Sequence, residues 1–218
     1  MTDVQATIRL QTWLSPAFPT GAFSYSHGLE QAIADQIIFD QDSLVNWLSN
    51  LIQHGAGWND AVILAESWRL SVANDAFSDI VALATAMCIS KERYLETISQ
   101  GSAFVTAAFA WGKIPSFPED CPLPIAVGAI AGYHNIDLET TLAAFLHAYI
   151  SNQVQAALRL MKLGQTNALN VQKQLEPALL DVARRAALAT EDDLGSASIG
   201  AEIAAMKHET LSPRIFRS

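Results

Sequence analysis

Apolar residues in this chain recur every three or four positions, and strand-type alternation is nearly absent. Leu44, Trp47, Leu48, Leu51 and Ile52 carry one such stripe. Leu138, Leu142, Phe145 and Tyr149 carry another, which Val154, Leu158 and Met161 extend. This spacing puts side chains on one face of a helix and cannot line one face of a strand. The fold class it predicts is all-α: a single-domain helical bundle of roughly nine to ten helices over residues 1–218.

Cap types and breakers set the expected bounds. Helices are predicted over residues 4–14, 29–37, from Asp42-Ser43 to Ile52, over 61–72 and over 77–90. A further stretch, with Tyr94, Ile98, Val105 and Phe109 on its face, runs as far as Trp111. Gly112 to Pro124 holds four prolines and reads as a stiff surface connection within the domain. Beyond it the pattern predicts helices over 125–133, 137–163, 169–190 and 198–208. Gly164 is expected to end the long helix in a left-handed cap. Half of the residues are hydrophobic and only 16% are charged, so a chain of 218 residues can bury a substantial core without staples.

The net charge of −9 offers no basic stripe, which argues against nucleic acid as a partner. Cys88 and Cys121 stand far apart without a CxxC pair and read as buried thiols of a reducing compartment. The start, Met-Thr-Asp-Val-Gln, lacks the basic and apolar pattern of a signal peptide. The longest uncharged apolar stretch, Cys121 to Ile136, is broken early and is shorter than the ~18 residues of a membrane span. The expectation is a soluble cytoplasmic protein with no membrane partner.

Two segments are less generic. The first is Ser15-Pro-Ala-Phe-Pro-Thr-Gly-Ala-Phe-Ser-Tyr-Ser-His-Gly-Leu-Glu30, where Pro and Gly specify the path and Phe18, Phe23 and Tyr25 supply aromatic surface. Such surface must be buried on the chain itself or on a partner. The second is the tail, residues 209–218, the one extended and locally basic piece. Taken alone it reads as frayed, but Ile215 and Phe216 between Arg214 and Arg217 have the composition of an interface hot spot.

Catalytic constellations are weak. Ser24-Tyr-Ser26-His-Gly28 resembles a nucleophile elbow without its first Gly and without a preceding strand. His27 does not become a general base by adjacency, because a triad works through spatial geometry. A serine hydrolase using Ser26 is the reading this disfavours; Ser24 and Ser26 capping the next helix is the one it favours. The five histidines form no HxxxH or HExxH motif, and no phosphate loop is present.

Three separated segments resemble the UreF family of urease accessory proteins. They are Ser15 to Glu30, Ala157-Leu-Arg-Leu-Met-Lys-Leu-Gly-Gln-Thr166, and the stretch from Asp193-Leu-Gly-Ser196 through Met206-Lys-His-Glu209 to Arg214-Ile-Phe-Arg-Ser218. They lie in the family's order across nearly the whole chain. Departures are mild: Thr20 for a frequent Val, Lys162 for Pro, Ile199-Gly200 for Pro, and Ile215 for Leu. The resemblance implies a non-enzymatic homodimer that bridges the accessory protein UreD (also called UreH) and the GTPase UreG. The assembly couples GTP hydrolysis to nickel insertion into apo-urease; no cofactor is bound stably, and nickel is handled transiently by the complex. Residues Arg214, Ile215, Phe216 and Arg217 match the segment that docks UreD. Phe18, Gly21, Phe23, Ser24, Tyr25, Ser26, Gly28, Glu30 and Gln165 are expected at the dimer or partner surface. A nickel-binding metallochaperone in its own right is the alternative.

Overall fold

A computed structural model describes residues 2–112 and 116–218, and among them the regular elements are ten α-helices and three short 3-10 turns. The helices are α1 (Asp3–Trp13), α2 (Leu29–Ala34), α3 (Gln41–His54), α4 (Ala56–Ala73), α5 (Ser78–Ala86) and α6 (Lys91–Ala108). They continue as α7 (Leu123–Tyr133), α8 (Leu138–Leu160), α9 (Gln165–Ala186) and α10 (Ile199–His208). The all-α class read from the periodicity is the observed one. None of these helices is long and apolar enough to cross a membrane.

At the centre lie α4 and α7: α7 is apolar nearly all round, as a helix without a solvent face must be, and α4 buries residues 60–65 as an unbroken run. Their approach is set by glycine. A Cβ at Gly128 would overlap the Leu64 carbonyl oxygen, and one at Gly132 would sit 2.7 Å from the carbonyl oxygen of Trp68. With both positions bare, the two helix backbones come into contact. α6 covers α7 on one side, while α3, α8 and α9 pack around α4 on the other. One continuous apolar core runs from Leu10 to Phe216.

Several bounds differ from the periodic reading, each for a local reason. The gap expected between Ile52 and residue 61 closes to one residue: α3 and α4 join at Gly55 alone, and Gly57 is buried inside α4. The predicted helix over 77–90 stops at Ala86, because the Ser90 hydroxyl accepts the Arg93 amide at 3.1 Å and starts α6. α2 ends before Ile37, where Gln36 takes a positive φ of 57°. The long helix ends at Leu160, and Met161 is extended. Gly164 is then not a left-handed cap; its φ of −70° and ψ of 156° make it the first cap of α9, which begins at Gln165. Of the proline-rich connection, Pro122 and Pro124 start α7, whereas Pro115 lies outside the described residues.

The inward face of α6 is also not the predicted one. Glu96, Gln100, Phe104 and Ala108 are buried, whereas Phe109 is 61% exposed and Tyr94, Ile98 and Val105 are half-buried. Polar residues take the core side here because they have partners there. Those partners come from the two segments that the sequence marks as unusual.

Candidate partner-docking site

The Ser15–Glu30 loop is pinned at its start by aromatic packing. Phe18 is buried against Phe104 of α6, with ring centroids 5.2 Å apart, and Trp13 and Trp111 complete the cluster. Phe18 is therefore scaffold. The chain then turns through Gly21 at a φ of 74° into the 3-10 turn Ala22–Ser24, which presents Phe23 to solvent at 68% exposure. Asn152 and Arg159 of α8 donate to the carbonyl oxygens of Tyr25 and Phe23, fixing the turn on the long helix. Tyr25 itself is buried.

A second turn follows at once. His27 and Gly28 both have positive φ, 52° and 77°. Gly28 has a further constraint, since a Cβ would lie 2.7 Å from the Ala205 backbone nitrogen of α10. This turn swings the His27 ring inward, where Nε2 lies 2.8 Å from Glu96 Oε1. Glu96 is fully buried, receives Gln100 Nε2 at 3.1 Å and the Ser218 hydroxyl at 2.8 Å, and lies 3.6 Å from Arg93. Arg93 is paired in turn with Asp60 of α4. Burial opposes ionisation of Glu96, but His27 and Arg93 outweigh it and hold the carboxyl below the usual carboxylate range. For Asp60 burial wins over Arg93 and the carboxyl is pushed up.

The tail is not frayed, contrary to the expectation from its composition. It packs on the loop. The Arg217 amide donates to the Ser24 carbonyl at 2.8 Å, and the Ser26 amide donates to the Ser218 carbonyl at 2.7 Å. The Ser26 hydroxyl donates to the same oxygen. Glu30, 7% exposed, accepts the Ile215 amide at 2.7 Å and the Phe216 amide at 2.9 Å. Its other neighbour is His208, the last residue of α10, which is held between Glu30 and Glu92; Arg214 closes on Glu92. Phe216 is 3% exposed, with the Arg159 guanidinium 4.5 Å above its ring.

The candidate residues thus divide. Phe23, Ser24, Ser26, Gly28 and Glu30 come together with Arg214, Ile215, Phe216 and Arg217. Outward from this junction stand Phe23, Ile215 at 59% exposure, and Arg217. Gln165 lies apart, exposed at the start of α9. The capping role of Ser24 and Ser26 is half correct: the Glu30 amide reaches Ser26 Oγ at 3.4 Å, while Ser24 offers only its backbone carbonyl, to Arg217. Ser26 and His27 do not form a nucleophile–base pair, since the hydroxyl turns to Ser218 and the ring to Glu96.

Sequence reasoning missed Glu92, Arg93, Glu96, Arg159 and His208. The available signal was Glu96 and Gln100 one turn apart with Phe104 and Ala108, a mixed stripe that an apolar count passes over. Among the described residues, no group of three or more His, Cys, Asp or Glu is placed to hold a metal ion. Cys121 is buried and its thiol is pushed up to about 12, while Cys88 is half-buried and also raised by burial.

Comparison with known proteins covers this junction and the bundle beneath it. The UreF family model matches residues 38–176, more than half of the chain, and so spans α3 to the first half of α9 without the loop or the tail. Full-length relatives include both. The urease accessory protein UreF of Rhizobium etli is 49% identical over 218 residues, covering 99% of this chain and 98% of the relative. That of Brucella ovis is 48% identical over 215 residues, covering 98% and 94%. The urease accessory protein UreF 1 of Brucella canis is equally similar. The chain belongs to the UreF family of urease accessory proteins.

Proposed function

We propose that this protein acts in urease maturation as a non-enzymatic bridge. It binds the UreD (UreH) accessory protein and the GTPase UreG, and couples GTP hydrolysis to nickel insertion into apo-urease, with nickel as transient cargo. It works as a homodimer, and the segment 209–218 is part of the UreD-facing surface. The observation that carries this reading is the junction of loop and tail. The two segments with the least generic sequence fold onto each other and leave Phe23, Ile215 and Arg217 outward, an aromatic and aliphatic pair beside a guanidinium.

The test is size-exclusion chromatography with light scattering on the chain alone and mixed with UreD and UreG. Deleting the tail is a poor probe, because Phe216 belongs to the core. The exposed double variant Ile215→Asp, Arg217→Glu leaves the buried contacts in place. The expected result is a mass of twice the 23.6 kDa chain for the protein alone, a larger complex with partners, and loss of UreD in the variant. Retention of UreD by the variant overturns the tail assignment; absence of any complex overturns the bridging role.

A further inference from the structure

Arg159 stands in the last turn of α8, exposed, and it touches two segments that lie far apart in the sequence. One guanidinium N–H donates to the Phe23 carbonyl at 3.3 Å, and the guanidinium carbon lies 4.5 Å from the centre of the Phe216 ring. Arg69, Arg93, Arg185 and Arg214 each pair with a carboxylate. Arg159 has no such partner among the described residues, so the carbonyl and the ring set its position. A guanidinium serves both at once, because it joins a fork of N–H donors to a delocalised charge that an aromatic face attracts.

The two contacts bear on the two outward apolar side chains of the junction. Phe23 lies in the turn Ala22–Ser24, and Phe216 follows Ile215 directly. Phe216 is buried while Arg159 is exposed, so the guanidinium covers the ring on its solvent side. Removing the ring takes away what holds the guanidinium beside the turn. Removing the guanidinium strips a donor from the turn and a cover from the tail. Backbone bonds from Arg217 to Ser24 and from Ser26 to Ser218 join the same two segments, but neither reaches α8. Asn152 reaches the loop from α8 at Tyr25, and not the tail. Arg159 holds both segments against the long helix.

We propose that Arg159 is a positioning residue: it couples the turn to the tail and so fixes Phe23 and Ile215 relative to each other. That this pair meets UreD rests on the proposed function; the coupling does not.

The first test uses the full chain alone. Hydrogen–deuterium exchange at the Tyr25 amide reads the turn, and exchange at the Phe216 amide reads the tail. Arg159→Gln removes the charge at an exposed position. Protection should fall about two- to fivefold at both amides, the range of one exposed cation–π contact, with helix content unchanged. A fall at one amide only, or at neither, overturns the coupling. A double-mutant cycle with Phe216→Leu, which keeps an apolar side chain without a ring face, separates this pair from the backbone bonds common to all four proteins. Phe216→Leu should lower Tyr25 protection about two- to fivefold more in the wild-type background than in Arg159→Gln. Equal factors in the two backgrounds overturn the proposal. Capture of UreD then tells the two readings apart. Weaker capture by Arg159→Gln than by wild type supports the positioning role, and equal affinity overturns it. Absence of capture by wild type overturns the proposed function and leaves the exchange result standing.

Discussion

Phe216→Ala separates a tail that is held from one that merely rests on the surface. Phe216 is 3% exposed and belongs to the same apolar core as α8, with Arg159 over its face. Truncating a buried Phe costs about 3–5 kcal/mol in a rigid core. The tail, unlike a core helix, can escape by detaching, so the loss appears as opening of residues 214–218 rather than as global unfolding. Even the lower figure, about 3 kcal/mol, multiplies the open population roughly a hundredfold. Limited trypsin digestion measures this, since cleavage after Arg214 needs an open segment. When opening and closing are fast relative to cleavage, the rate tracks the open population. Phe216→Ala should therefore be cut after Arg214 about a hundred times faster than wild type, with helix content unchanged. Ile215→Ala is the control, because that side chain is 59% exposed and its backbone bond to Glu30 survives the change. Equal cleavage of wild type and Phe216→Ala would refute the reasoning, as would a large effect of Ile215→Ala.

Gly128→Ala and Gly200→Ala should have opposite signs in urea unfolding. Helix propensity favours Ala over Gly by up to about 1 kcal/mol at both sites, but a Cβ at Gly128 overlaps the Leu64 carbonyl oxygen, whereas one at Gly200 meets nothing within 4 Å. The first should lose about 1–3 kcal/mol and the second gain a few tenths; stabilisation by Gly128→Ala would mean that α4 and α7 do not touch as described. Glu96→Gln should cost about 3 kcal/mol at neutral pH by leaving Arg93 and His27 short of a partner. Because the folded carboxyl lies below its ordinary value, its contribution is present above about pH 4.3 and is lost as pH falls through the folded value. The variant should therefore flatten the acid limb of the urea midpoint against pH, and an unchanged limb would assign it elsewhere. Thiol titration at pH 8 should modify Cys88 slowly and Cys121 only on unfolding, since Cys121 is 1% exposed with its thiol pushed up to about 12; prompt reaction of both would contradict that burial.

The helices were legible because each carries its own periodic stripe, and the loop because Pro16, Pro19, Gly21 and Gly28 mark it without reference to the rest of the chain. What was illegible depends on long-range partners. Glu96 reads as a solvated charge until His27, Arg93 and Ser218 are brought to it. Choosing Tyr94, Ile98, Val105 and Phe109 as the inner face of α6 was sound on hydrophobicity and failed because a satisfied polar group can take the core side. The tail was misread in the same way. Its composition says that it cannot fold alone, and it does not; it borrows the carboxylates of Glu30 and Glu92 and an apolar floor from the bundle. Gly164 failed for a smaller reason, since Met161 had already left the helix before the glycine was reached.

Glu30 grips the tail by two backbone amides and asks nothing of the side chain at position 215. The grip therefore measures distance along the chain rather than residue type. Many side chains fit at Ile215, which here points outward, but one residue inserted or removed between His208 and Ile215 would put the wrong amides before Glu30 and carry Phe216 off its floor. The six-residue link between them is under a length constraint that its own composition does not reveal.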